Sequence, residues 1–244
     1  MFKFILFILF VLCTANLATA QDQFETDIIT TTSGDLKITS IGHGTLLFTF
    51  SEKIIHVDPY GRLADYSILP KADIILITHE HGDHFDLKVI KMLRIEKTSL
   101  VLTESCTKDI SGGIVLKNGD VQRVQGLKIE AIPAYNIVHK RDNEEPFHPQ
   151  GIGNGYIITF GDKRVYVAGD TENIPEMKEL GEIDIAFLPM NLPYTMTPEM
   201  VADAARMIKP QILYPYHYGN TNTSKLVELL KDDKDIEVRI RKVE

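Results

Sequence analysis

Cysteine is nearly absent. The 244-residue chain holds two, Cys13 and Cys106. Cys13 falls in an N-terminal apolar run that reads as an export leader, so cleavage leaves one thiol and excludes an intramolecular disulfide. Cys106 lies in no recognisable motif and reads as a small buried or loop residue, not a nucleophile. Clusters of lysine and arginine are missing as well. The net charge is −8, with acids and bases intermixed along the chain. That balance disfavours a nucleic-acid track and leaves small phosphorylated substrates open. No Ser-His-Asp or Cys-His arrangement stands out, and no linker or low-complexity segment divides the sequence. The absence of disulfides leaves stability to core burial, which 44% hydrophobic content can supply, and to metal.

What is present begins with a processing segment. Met1-Phe2-Lys3 carries the positive charge, Phe4 to Leu12 is the apolar core, and Ala18-Thr19-Ala20 is an A-x-A cleavage site. The core is too short for a comfortable membrane span of about 20 residues. The expectation is a signal peptide over 1–20 and a single domain over 21–244. The mature chain is then exported, periplasmic or secreted, with no stable membrane insertion after cleavage near Ala20. An uncleaved anchor or a lipid-modified Cys13 is the alternative, although Phe10-Val11-Leu12 lacks the small residues of a lipoprotein box.

The pattern then turns strand-rich. Segments 36–41, 46–50 and 53–57 read as a meander, and 74–78 as a buried strand. Segment 87–95 reads as a helix, followed by extended segments at 100–103 and 127–133. The second half repeats the style, with strands at 156–160, 164–168 and 184–188. A helix opens at Thr197-Pro198, with Thr as N-cap and Pro at the first helical position. Strand 211–215, a helix around Leu226, Leu229 and Leu230, and strand 236–240 complete the chain. Two batches of strands, each followed by helices, favour two sheets packed face to face with helices outside. The longest polar interruption is the loop 136–149.

The chemistry concentrates in Thr78-His79-Glu80-His81-Gly82-Asp83-His84. Four potential metal ligands follow directly on a run of branched apolar residues, so they sit on the loop leaving the strand's C-terminal end, where α/β proteins gather ligands. Neutral imidazoles and carboxylates suit zinc, manganese or iron. Ionisable groups packed this tightly are costly to bury without a cation. Further candidates lie at other strand ends: Asp170 in Ala168-Gly169-Asp170-Thr171, His217 among tyrosines, and His148 before the glycine-rich stretch 151–155.

Taken together, His79-x-His81-x-Asp83-His84, then Gly169-Asp170-Thr171, then His217 resemble the metallo-β-lactamase superfamily, from about Leu36 to Ile240. Ile41-Gly42-His43-Gly44, Val57-Asp58-Pro59-Tyr60, Ala134-Tyr135-Asn136 and Phe147-His148-Pro149-Gln150-Gly151 are similar to its ascorbate-6-phosphate lactonase and N-acylphosphatidylethanolamine phospholipase D-like branch. The resemblance implies an αββα four-layer sandwich of two mixed sheets with metals at one edge between them. It places His79, His81 and a third histidine at a first metal site, and Asp83, His84 and His217 at a second, with Asp170 bridging. The third histidine is His148 by its glycine-rich sequel, with His139 competing from the same loop. The insertion 137–146 departs from the compact pattern. Asp58 is expected to orient a ligand and His43 to contact substrate or a ligand; turn-forming roles are the alternative for both.

The implied activity is an exported hydrolase in which two divalent ions, zinc or else manganese or iron, activate water against an ester, lactone or phosphodiester. Asp83 would orient that water or take up a proton. Lactam cleavage is disfavoured because Asp170 stands where a cysteine is common in that type. The rival readings are a non-catalytic metal-containing binding protein of the same fold and, behind it, a nuclease. A small-molecule substrate is the expected partner.

Overall fold

The computed structural model describes residues 23–242, so the expected leader over 1–20 lies outside the described residues. Two seven-stranded sheets stack face to face. The first contains β1 (Glu25–Thr31), β2 (Gly34–Gly42), β3 (Thr45–Phe50), β4 (Lys53–Val57), β5 (Ile74–Leu76), β6 (Ser99–Leu102) and β7 (Ile114–Val115), in sequence order across the sheet. The second contains β8 (Val121–Val124), β9 (Leu127–Ala134), β10 (Gly153–Phe160), β11 (Lys163–Val167), β12 (Ile185–Pro189), β13 (Ile212–Tyr216) and β14 (Glu237–Val238), again in order. Each sheet starts as an antiparallel meander of four strands and continues in parallel from the fourth. Among the described residues three α-helices cover the outer faces: α1 (Leu87–Leu93) on the first sheet, α2 (Pro198–Ile208) and α3 (Thr223–Leu229) on the second.

Side-chain alternation explains the four layers. Along β3, Leu46, Phe48 and Phe50 enter the core between the sheets, while Leu47 faces outward beneath α1. Along β12, Ile185 and Phe187 point to the central core, and Ala186 and Leu188 to the side of α2. Phe48 sits 5.5 Å from Phe160 and 6.1 Å from Phe187 by ring centroid, which locks one sheet onto the other. The tips are also tied across the layers, because Tyr156 Oη donates to the Ile77 carbonyl and Asn154 N–H to that of Thr78.

Helix α2 follows its sequence closely. Thr197 accepts from Met200 N–H, Pro198 opens the first turn, and Val201, Ala204, Ala205 and Ile208 are buried. The differences from the sequence expectation fall at edges. Strand β5 ends at Leu76, two residues early, because Thr78 turns its N–H and hydroxyl to Asp58. The 236–240 strand shrinks to two paired residues. Strand β1 was not anticipated: its polar sequence Glu-Thr-Asp-Ile-Ile-Thr-Thr lies at a sheet edge and carries little apolar alternation. Cys106 is buried beneath the first sheet, and His56 is buried in β4 with Nε2 donating to the Pro70 carbonyl. Among the described residues no helix is long and apolar enough to cross a membrane.

Candidate metal centre

The strand tips at one edge of the sandwich deliver the chemistry. Asp58 follows β4, the His79–His84 loop follows β5, Asp170 follows β11, and His217 follows β13. His43 sits in the turn between β2 and β3, and His148 in the loop between β9 and β10. The two sheets are stitched here by His217 N–H donating to the His43 carbonyl at 2.9 Å. His43, Asp58 and His217 all take the left-handed backbone, at φ of 49°, 44° and 44°. Such conformations cost free energy in non-glycine residues and gather at functional sites.

Asp58 organises the first sheet's contribution. One of its oxygens accepts Thr78 N–H at 2.8 Å, and the other accepts the Thr78 hydroxyl at 2.6 Å and His84 Nδ1–H at 2.9 Å. Because the Thr78 hydroxyl donates to Asp58, it is free to accept Nδ1–H of His79, 2.9 Å away. In their neutral form both rings are thereby held as the tautomer with a lone pair on Nε2. Glycine is needed close by: a Cβ on Gly44 would sit 2.7 Å from Cε1 of His84, and Gly169, at φ 67°, would place one 2.8 Å from the Asn154 carbonyl.

The second sheet holds its own ligands by a different route. Asn136 Oδ1 accepts both the backbone N–H and the ring Nδ1–H of His148, at 2.9 and 2.6 Å. The Asn136 amide donates to Glu172 Oε1 and to the Tyr194 carbonyl. Fully buried Glu172 also collects the backbone N–H groups of Ile137, Val138 and His139, each at 2.7 Å. Burial alone would raise the Glu172 pKa, but those donors outweigh it and hold the group below the usual carboxylate range. His139 turns to this carboxylate, its Nδ1 2.7 Å from Oε1. The structure therefore brings His148, and not His139, to His79 and His81.

Four buried polar atoms converge without a hydrogen-bond partner: Nε2 of His79, His84 and His217, and Oδ1 of Asp170. Asp170 lies centrally. Its oxygens are 3.3 Å from His148 Nε2, 3.4 Å from His217 Nε2, 3.6 Å from His84 Nε2 and 4.0 Å from His79 Nε2. Ligand atoms on a tetrahedral zinc with bonds of 2.0–2.1 Å are about 3.3 Å apart, so these separations suit a divalent cation. The potential ligands form overlapping groups: His79, His81 and His148; His79, His84 and Asp170; and His43, Asp83, His84 and His217, each with atoms within 4.8 Å of one another. Apart from His139, the sequence candidates thus lie at the cluster or directly behind it, including His43, whose Nε2 is 3.0 Å from Asp83 Oδ2.

Electrostatics divides the cluster. Burial, followed by the neighbouring His84, pushes His79 well below its usual pKa, and burial and His148 lower His81. His84 moves the other way, to about 9, because Asp170 and Asp58 outweigh the burial that would lower it. Burial would raise Asp170, but His217 and His84 hold it well below the carboxylate range. His79 and His81 offer proton-poor imidazoles beside an ionised carboxylate, and the carboxylates that draw a proton onto His84 would draw a cation there in its place. Sequence reading missed Glu172, because nothing in Asp170-Thr171-Glu172 marks it, and gave Asn136 no role although it lies in a motif.

Two stacked mixed sheets with outer helices and a His/Asp cluster at one edge define the metallo-β-lactamase fold. The family model for the beta-lactamase superfamily domain matches residues 37–217, and the chain belongs to this superfamily. Within it the chain is 31% identical over 205 residues to a UPF0173 metal-dependent hydrolase of Pelotomaculum thermopropionicum, covering 79% of this chain and 87% of that protein. The chain belongs to this family of metal-dependent hydrolases. A crystal structure from Parabacteroides distasonis, of a protein with a proposed metal-dependent hydrolase activity, is 52% identical with a TM-score of 0.86, covering 91% of this chain and all of that one. A metallo hydrolase from Ignicoccus hospitalis shares the fold at 24% identity and a TM-score of 0.71, over 85% of this chain and 95% of that one.

Proposed function

We propose that the protein hydrolyses a small ester, lactone or phosphodiester at a two-metal centre. His79, His81 and His148 would hold one ion, Asp83, His84 and His217 the other, with Asp170 between them. The observation that carries this is the convergence of unpartnered Nε2 atoms on the unpartnered oxygen of Asp170. Bound there, divalent cations supply Lewis acidity and make water a nucleophile near neutral pH.

The chain's own residues do the rest. Asp58 and Asn136 fix the tautomers and aim of His84 and His148. His43 holds Asp83 at the cleft wall, where the carboxylate orients the attacking water and accepts its proton. The cleft, bounded by His43, Asp83, Phe147, Asn191 and Tyr194, has a volume of about 490 Å³. That size suits a small organic molecule. Zinc is the favoured ion by donor type, with manganese and iron served by the same set. The leader reading adds export, periplasmic or secreted, after cleavage near Ala20.

The test is metal analysis of the purified protein coupled to a hydrolysis screen over esters, lactones and phosphodiesters. The expected result is two ions per chain, with turnover abolished by chelation and restored by zinc or manganese. A full metal load with no turnover anywhere in the panel would favour the non-catalytic metal-binding alternative.

A further inference from the structure

The loop between β9 and β10 brings more than His148 to the cleft. Arg141, at its outer end, lines the same cleft as His43, Asp83, Asp170 and His217. Its guanidinium lies over the Phe147 ring, 5.1 Å from the centroid, and reaches the Phe147 carbonyl only at 3.4 Å. Phe147 in turn packs edge-on against Tyr194, which stiffens that wall. The backbone around Arg141 is also held: its N–H donates to the Glu145 carbonyl, its carbonyl accepts Glu144 N–H, and Lys140 bridges to Pro146. Glu172 clamps the first residues of the loop, as described above.

What Arg141 lacks is a carboxylate. Arg164, Arg206, Arg239 and Arg241 each pair with one, at Glu130, Asp233, Glu237 and Asp27; Arg62, Arg94 and Arg123 have an aromatic ring or carbonyls instead, but none of these three lines the cleft. Arg141 forms no such ion pair among the described residues, although acids crowd its own loop; Glu144 reaches Lys140 instead. The two acids that share the cleft with it are committed, Asp83 to His43 and Asp170 to the imidazoles around it. A planar, permanently charged fork left without an internal anion, beside a reactive centre, suits bidentate binding of an oxyanion. The chain's net charge of −8 makes this local cation the more telling, because the overall field does not attract anions.

We propose that Arg141 is a specificity-determining residue that binds an anionic group of the substrate, a carboxylate or a phosphate, remote from the bond that is cleaved. This rests on the hydrolase reading of the same cleft. The substrate is then a small organic anion whose scissile bond lies at the His/Asp cluster and whose charged end lies against the Arg141–Phe147 wall.

Calorimetric binding to the zinc-loaded protein tests this. The probes are acetate, the diacids succinate, glutarate and adipate, and 3-phosphonopropionate, each measured on the wild type, Arg141→Ala and Arg141→Lys, with metal content determined on the same samples. At least one two-headed probe should bind the wild type about tenfold or more tightly than acetate. That advantage should vanish in Arg141→Ala and return in part in Arg141→Lys, while acetate affinity and metal content hold. Preference among the two-headed probes separates a carboxylate from a phosphate end. If no two-headed probe outbinds acetate, or if Arg141→Ala weakens acetate equally, the proposal is overturned. Metal-free samples after loading would instead bring down the two-metal reading on which it stands.

Discussion

The two sheets end their fourth strands in the same way and use the result differently. Strand β4 runs out into Asp58, and β11, after Ala168-Gly169, into Asp170. Both carboxylates are buried at the same edge of the sandwich. Asp58 is saturated by Thr78 and His84, whereas Asp170 keeps an oxygen without a donor among four imidazoles. Satisfaction separates a scaffold from a ligand: a carboxylate with a full set of donors holds others in place, and one left short is available to a cation.

The sharpest way to break that contrast is to neutralise each in turn. Asp170→Asn is expected to retain the fold by circular dichroism, lose bound metal, and reduce hydrolysis on the order of a thousandfold. Asp58→Asn should do the reverse in emphasis. One acceptor becomes a donor facing N–H and O–H groups, so stability should fall by about 2–4 kcal/mol in urea titration. Metal affinity should weaken by about 10–100-fold as His84 loses its orienting partner. Equal loss of activity in both variants with stability unchanged in Asp58→Asn would erase the distinction.

The outer side of the first sheet offers a subtler test. Burial lowers the His56 pKa from 6.5 to about 4, against a weaker opposing effect of the Pro70 carbonyl. Above pH 6.5 the ring is neutral whether folded or unfolded and contributes no pH dependence. Below 6.5 only the unfolded chain takes the proton, so stability falls with falling pH until the folded ring titrates near 4. Between pH 6.5 and 5 this amounts to about 1.5 kcal/mol. Denaturant titration of His56→Phe should lack that component; an unchanged slope would mean His56 is not held neutral. The smallest effect belongs on the second sheet's outer helix. Thr197→Ala removes the cap on Met200 N–H and should cost about 1 kcal/mol without changing metal content.

The same comparison shows what a sequence can carry. The first sheet's ligands His79, His81, Asp83 and His84 are neighbours on one loop, and their spacing alone announces a cation. His148, Asp170 and His217 come from three separate loops of the second sheet, and each has an ordinary local reading. Only the resemblance joined them, because their proximity arises from stacking and strand order and not from any local pattern. The central strands were legible by apolar runs and turns, since both faces are buried. Polar edge strand β1 was not, because its pairing to β2 is set by backbone hydrogen bonds that its side chains do not advertise. Glu172 stayed hidden for a related reason: its partners are backbone N–H groups of a loop more than thirty residues away in sequence.

The neck of the β9–β10 loop is closed on itself. Asn136 N–H donates to the His148 carbonyl, while the Asn136 side chain receives His148. Everything between these two residues hangs from a fixed hinge pin. Segment 140–147, beyond the three residues whose N–H groups Glu172 holds, is therefore the part of the loop free to change in length and sequence with His148 left in register, a route to new substrates without rebuilding the reactive core.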